Sequence, residues 1–148
     1  MARSLKFRDL PGRVTTGAYI LHAGFGKWNA DETRATAIHG MAARAFPVLE
    51  AMPPTRFVRL LAAGEVATGV ALLSPFVSSA VAGAALTAFS GSLLALYART
   101  PSLREPGSMW PSPAGTAVSK DVWMFGIGLG LLADAAGRRR PKPTDPDA

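Results

Sequence analysis

The residue most able to do chemistry is Glu65, a carboxylate near the middle of an apolar stretch that covers residues 56 to 73. If this stretch crosses a membrane as a helix, a charge at its centre costs roughly 3 kcal/mol or more, even on lenient insertion scales. The carboxylate should therefore be paired, protonated or in contact with water. Two interpretations stay open: a buried polar site for a headgroup, a quinone ring or a proton relay, and a polar clasp that only fixes helix packing.

Four other polar residues could share a site with Glu65. His22 lies at about the same depth when counted from the outer helix ends, so a hydrogen-bonded pair of His22 and Glu65 is the first geometric hypothesis, whereas Lys27 lies nearer the surface and can snorkel. Asp121 begins a further apolar stretch, where the helix dipole favours it, while the same field opposes Lys120. Lys120 could reach Glu65 through water or a ligand, or form a cationic rim with Lys27 for an anionic headgroup. We expect these five residues to be the binding residues.

The sequence contains no catalytic constellation that would make the chain an enzyme by itself. It has no cysteine, which excludes disulfides, iron–sulfur ligation and thiol redox chemistry by the chain. It shows no metal-ligand cluster, no nucleophile with a base at motif spacing and no phosphate loop. A haem held by His22 and His39 is disfavoured, because His39 falls in a polar segment between the apolar stretches. Any redox role would belong to a partner or a bound cofactor, for which quinone is a candidate.

The elements that must position these residues are four apolar stretches, at residues 11 to 28, 56 to 73, 76 to 97 and 119 to 136. A helix needs ~20 residues to cross a bilayer core. An amphipathic segment at 29 to 52 predicts a helix in the membrane interface, and the proline- and glycine-rich residues 98 to 118 predict an irregular loop. The predicted fold class is all-α: a polytopic membrane four-helix bundle with an interfacial helix between spans one and two.

Local signals predict where these helices start and how they pack. The predicted helices begin at residues that favour helix starts: Pro11 in the first turn of the first span, and Asn29 with Glu32 as a capping box for the interfacial helix. Thr55 and Ser119 are the predicted N-caps of the second and fourth spans. Small residues recur every four positions in the third span, which allows another helix to approach closely, and two glycines provide such a face on the fourth. The tight turn at Ser74 makes the second and third spans antiparallel neighbours. The predicted helix-packing glycines are Gly83, Gly91, Gly126 and Gly130.

The charge distribution predicts how the chain lies in the membrane. Of the net charge of +6, much lies at the two ends of the 148-residue chain, at Arg3, Lys6, Arg8 and Arg13 and again at Arg138, Arg139, Arg140 and Lys142. Basic residues that flank apolar helices follow the positive-inside rule, so both termini are predicted to be cytoplasmic, in the cell membrane. Nucleic acid is not an expected partner, since no aromatic residues interleave with these charges. Residues 1 to 10 form a basic segment, and residues 137 to 148 are predicted to be disordered.

Several of these residues together resemble a known family. They lie at three places: Gly24, Gly26, Lys27 and Trp28 where the first span ends, Gly64 and Glu65 within the second span, and the run from Ser119 to Trp123 with its apolar continuation. At these three places the chain resembles the DoxX-like membrane proteins. The resemblance covers roughly residues 10 to 134. It implies a small four-helix membrane protein, since the family is named after a membrane component linked to quinone-coupled thiosulfate oxidation and some relatives are associated with membrane oxidoreductase assemblies. It carries over no catalytic residue, only Lys27, Glu65 and Lys120 as matching polar positions.

The leading functional interpretation is a non-catalytic membrane accessory protein or subunit, whose buried polar groups hold a lipid-like molecule or a partner helix. Membrane lipids and other membrane subunits, or further copies of the chain, are the expected partners. One alternative is a quinone-linked oxidoreductase component. A second is a small proton-coupled transporter, although four spans leave little room for alternating access and no inverted repeat is evident.

Overall fold

The computed structural model describes residues 7 to 137, and within this range the chain is all-α, as predicted, with no strand. Short 3₁₀ turns at Pro47–Ala51 and Pro101–Leu103 interrupt the connections. The tail predicted to be disordered began at Gly137, which is instead the last residue of a helix. Residues 138 to 148 of that tail and residues 1 to 6 of the basic segment lie outside the described residues. The α-helices are α1 (Leu10–Trp28), α2 (Glu32–Ala45), α3 (Pro54–Leu73), α4 (Ser79–Arg99), α5 (Thr116–Ser119) and α6 (Asp121–Gly137).

The helix starts agree with the prediction to within a few residues, but some of the predicted caps are wrong. Pro11 lies in the first turn of α1, as expected. The N-cap of α2 is Asp31 rather than Asn29, because its Oδ1 accepts a hydrogen bond from the Arg34 amide at 2.8 Å. Thr55 does not cap α3, which begins at Pro54 without a side-chain cap.

The third and fourth apolar stretches also begin differently from the prediction. α4 starts at Ser79 and not at Phe76, because the Ser78 hydroxyl accepts a hydrogen bond from the Val81 amide at 3.3 Å and so defines the first turn. Ser119 does not cap α6. It ends the short helix α5, and its hydroxyl donates to the Thr116 carbonyl at 3.0 Å. The fourth apolar stretch is therefore α5 followed by α6, with a break at Lys120.

Four long helices pack around one core as two antiparallel pairs. In the first pair α1 lies on α3, with Gly17 close to Leu72 and Gly24 close to Glu65. In the second pair α4 lies on α6, and α3 and α4 are joined by a tight turn and contact each other, as predicted. The buried apolar core takes residues from all four helices: Ile20, Leu72, Ala82, Leu86 and Leu131.

The contact between α4 and α6 is made at one glycine of α6 that the prediction missed. A Cβ added at Gly83 would lie 2.9 Å from the Gly128 carbonyl oxygen, and one added at Gly128 would lie 2.9 Å from the Thr87 amide nitrogen. Gly91 is looser, since its nearest neighbour is the Phe125 ring at 3.3 Å. Gly126 and Gly130 make no close contact within this bundle, because a Cβ added at either position would have no atom of another element within 4 Å.

This difference between glycines gives a matched test of the α4–α6 contact. We expect Gly128→Ala to lower the free energy of unfolding by about 1–3 kcal/mol, because the new methyl group meets backbone atoms that cannot move aside. Gly126→Ala adds the same methyl group in open space, so stability should be unchanged or should rise by up to about 1 kcal/mol through helix propensity. Thermal or denaturant unfolding in a mild detergent measures both, and equal effects would contradict the packing described here.

Arg13 is buried inside the bundle, which corrects its interpretation as a flanking charge. Its side chain is only 2% exposed, and it donates to the carbonyl oxygens of Leu72 at 2.8 Å and Ser74 at 2.9 Å. It also donates to the Ala71 and Val77 carbonyls. These groups lie at the end of α3 and in the turn to α4, where carbonyls have no partner within a helix. Arg13 therefore ties α1 to the turn that joins α3 and α4.

The first turn of α1 and the last turns of α6 lie at the same end of the bundle. Arg8 forms an ion pair with Asp134, and the Ser79 hydroxyl donates to the buried Asp9 carboxylate at 2.9 Å. A cavity between α1 and α6 opens beside Arg8 and Asp134. The N-terminal end of α1 and the C-terminal end of α6 thus lie on the same side of the bundle.

Two of the predicted spans have the length and composition needed to cross a membrane. Within residues 7 to 137 these are α4 and the segment Thr116–Gly137, which combines α5 and α6, while α1 and α3 do not meet the same length and hydropathy criteria. The two helices differ in burial: 33% of the apolar window of α4 is buried inside the bundle, against 11% for Thr116–Gly137. Length and composition alone are weak support for a membrane location, because the buried core helix of a soluble protein also meets this measure.

Candidate functional site

Glu65 is buried and forms an ion pair with Lys27. The Lys27 ammonium lies 2.8 Å from Oε1 and 3.1 Å from Oε2 of the carboxylate. The side chain of Glu65 is 7% exposed and that of Lys27 is 21% exposed, so the pair is largely withdrawn from solvent. The predicted pair of His22 and Glu65 is wrong, because the His22 side chain is exposed on another face of α1. Lys27 does not snorkel outward but turns inward to Glu65.

A close approach of α1 to α3 brings this pair together. A Cβ at Gly24 would lie 3.0 Å from the Glu65 Cβ and 3.1 Å from the Ala62 carbonyl oxygen, so only glycine fits without a shift of the helices. Residues three apart share a helix face, and Lys27 therefore extends from the same face as Gly24 toward α3. The sequence shows the spacing of Gly24 and Lys27, but it does not predict that Glu65 of α3 faces them.

Asp121 adds a second carboxylate to this region. It is the first residue of α6, is partly buried, and lies close enough to Glu65 and Lys27 to interact electrostatically with both. No side chain in the described part of the chain donates a hydrogen bond to its carboxylate. Three of the five predicted binding residues, Lys27, Glu65 and Asp121, are thus brought together by three different helices.

These three charged residues lie together in the lining of a cavity of about 560 Å³. Apart from them and Ser92, its lining side chains are apolar. The size is within the range of small-molecule sites, which are commonly apolar clefts with a few polar groups. The arrangement suits an amphiphile, with a polar head beside the charged residues and a tail along the apolar walls. The apolar lining residues come from every α-helix: Ile20, Ile38, Met41, Ala42, Phe46, Leu49, Phe57, Leu61, Phe89, Leu93, Leu96, Ala117, Val118 and Met124.

Helix α2 and the 3₁₀ turn that follows it cover this cavity. The sequence predicted an apolar face on this segment, but not what the face covers. His39 fixes the cover in place: its ring nitrogen Nε2 lies 2.9 Å from the Leu49 carbonyl oxygen, and its ring meets Phe57 edge-on at 5.5 Å between centroids. The Arg99 guanidinium lies 4.7 Å from the centre of the Phe46 ring, a cation–π contact that links the cover to the end of α4.

Lys120 lies outside the cavity, although it precedes Asp121 directly. Its exposed side chain lines a separate groove of about 520 Å³ beside Trp110 and Trp123. The suggested contact with Glu65 is therefore wrong, and so is the cationic rim, because Lys27 is already bound to Glu65. Tyr97 near the end of α4 is 6% exposed, and its hydroxyl donates to the Met109 carbonyl at 2.8 Å.

The two histidines cannot share a haem, since His22 is exposed on α1 and His39 is engaged by Leu49 under α2. Among residues 7 to 137, no group of three or more histidines, aspartates or glutamates is placed to hold a metal ion.

Comparison with known proteins adds no identification: no family model, no curated protein and no solved structure matches the chain.

Proposed function

We propose that the chain is a small multi-pass membrane accessory protein or subunit that holds a lipid-like molecule beside the Lys27–Glu65 pair. The observation that carries this proposal is the cavity, in which apolar walls from six helices meet the Lys27–Glu65 ion pair and a second carboxylate. A polar clasp that only fixed helix packing would need neither this cavity nor Asp121.

The membrane location rests on the surface of the bundle as well as on composition. Only 11% of the apolar Thr116–Gly137 window is buried inside the bundle, whereas the core helix of a soluble protein is mostly buried. Trp28, Trp110 and Trp123 are about half or more exposed at one end of the bundle, where tryptophans favour a membrane–water interface.

The remaining two long helices complete a four-span topology in this proposal. The buried charges Arg13, Lys27 and Glu65 find partners inside the bundle, which lowers the cost of placing α1 and α3 in lipid. The basic ends would be cytoplasmic, and α2 would lie in the interface on the opposite side.

The assembly in which the protein acts follows from the resemblance to DoxX-like proteins. We place it in a redox-associated membrane assembly, with partner subunits or further copies of the chain. The uncovered glycines Gly126 and Gly130 leave room for a neighbouring helix to approach α6 closely.

Filling the cavity tests the proposal. Leu93 lines it, whereas its neighbour Leu94 lines the Trp110 groove on another side of α4. We expect Leu93→Trp to reduce the lipid-like material that co-purifies in mild detergent by tenfold or so, because the indole occupies the site, and Leu94→Trp to leave it unchanged. Mass spectrometry of extracted lipids and co-purifying proteins is the measurement. A wild-type protein that emerges alone and empty would overturn the proposal.

A second candidate is a quinone-linked oxidoreductase component. The observation in its favour is that two carboxylates, Glu65 and Asp121, line a cavity whose other walls are almost entirely apolar. Such groups can accept protons from a quinol. A Glu65→Gln variant that folds and expresses normally but loses quinone-linked activity would support this candidate, and unchanged activity would remove it.

A further inference from the structure

The side chains that could donate hydrogen bonds into the cavity already donate them to other groups of the protein. An ammonium has three N–H groups. Those of Lys27 face Glu65 Oε1 at 2.8 Å, Glu65 Oε2 at 3.1 Å and the Ala23 carbonyl oxygen at 3.4 Å. The Ser92 hydroxyl donates to the Phe89 carbonyl at 2.6 Å. No other side chain that lines the described cavity carries an N–H or O–H group, apart from any proton on a carboxyl.

The acceptors of the cavity, in contrast, are in excess. An ionised carboxylate offers about four acceptor positions and no donor. Glu65 uses some of them for Lys27, while the carboxylate of Asp121 receives no hydrogen bond from any residue between 7 and 137. Two carboxylates face a single ammonium, so the three ionised groups carry one net negative charge. The cavity therefore needs a donor from outside.

We infer that the cavity selects amphiphiles whose head donates hydrogen bonds, such as a primary ammonium or a hydroxyl, with Asp121 as the residue that sets this specificity. A head that only accepts, such as a carboxylate, a phosphate or an oxidised quinone ring, finds no free side-chain donor among the described residues and meets the net negative charge of the three ionised groups. A quinol, which carries hydroxyl groups, fits the same rule. The inference rests on the proposed lipid-like ligand and specifies its chemistry.

Three probes of one chain length test the selection: dodecylamine, dodecanol and dodecanoate. Binding is measured to the full-length protein in nanodiscs of zwitterionic lipid, at a mildly alkaline pH that keeps carboxyl groups ionised. The same measurement on Leu93→Trp, whose cavity is filled, gives the background from partition into lipid. Hydrogen bonds to charged groups contribute enough to change affinity by about tenfold to hundredfold. We therefore expect dodecylamine and dodecanol to bind at least about tenfold more tightly than dodecanoate.

The variant Asp121→Asn keeps the shape of the side chain, removes its charge and supplies an N–H donor. It should bring dodecylamine and dodecanoate to within a few-fold of each other. Glu105→Gln, an exposed carboxylate in the 98 to 118 loop, should leave the wild-type ratio unchanged. Equal binding of all three probes to the wild type, or an unchanged ratio in Asp121→Asn, would overturn the inference while leaving the ligand site in place. Absence of any binding above the Leu93→Trp background would overturn the ligand site as well.

Discussion

Replacing Arg13 by Met is expected to lower the free energy of unfolding by about 3 to 5 kcal/mol, because it removes the shared donor of several buried carbonyl groups. Arg13 joins α1 to the last turn of α3 and to the turn before α4 through Leu72, Ser74 and Val77. Met fills a similar volume but donates nothing, so these oxygens would be left buried without a partner. Nearby Asp9 would also lose the favourable charge of the guanidinium.

Two further variants separate this effect from the general loss of an arginine. Arg59 lies exposed on α3, so Arg59→Met should change stability by about 0.5 kcal/mol or less. Arg13→Lys keeps the charge but cannot reproduce a planar fork that reaches carbonyls on two sides, so it should lie between the wild type and Arg13→Met. Unfolding in one mild detergent compares all of them. An Arg13→Met protein as stable as Arg59→Met would contradict the buried role of Arg13.

Replacing Lys27 by Met should lower the free energy of unfolding by about 3 kcal/mol, because it leaves the Glu65 carboxylate buried without its counter-ion. Glu65→Leu should cost less, since the partly exposed Lys27 can turn outward. The double variant Lys27→Met/Glu65→Leu removes both charges and should recover most of the loss. Unfolding of the four proteins in one detergent forms a double-mutant cycle, and additive effects would show that the two side chains do not interact.

The same double variant separates a ligand site from a structural clasp. If Lys27 and Glu65 only hold α1 against α3, the double variant, once shown to be folded, should co-purify with as much lipid-like material as the wild type. If they form the polar end of a binding site, it should fold but retain markedly less of a ligand with a polar head. The comparison uses the same extraction and mass spectrometry as the Leu93→Trp variant, and Leu94→Trp again serves as the control.

The local architecture was determined by the sequence alone. Long apolar stretches, the amphipathic segment before Pro47 and the proline-rich 98 to 118 loop were sufficient to predict four long helices, a further helix between the first two of them and an irregular loop. Such features depend on neighbours within a few residues. The need of Glu65 for a polar partner was equally visible, since an isolated charge in an apolar helix is too costly to leave alone.

Tertiary structure alone decided which residues meet. Depth counted along the helices favoured His22 as the partner of Glu65, but the rotation of α1, set by the close approach at Gly24, presents Lys27 instead. The same reason explains why Gly128 rather than Gly126 contacts α4. From its position near the basic N-terminal end, Arg13 was interpreted as a flanking charge, and only the packing of α1 against the end of α3 showed that it is buried there. Helical periodicity defines the faces of each helix, whereas register and rotation between helices come from packing contacts between residues distant in the chain.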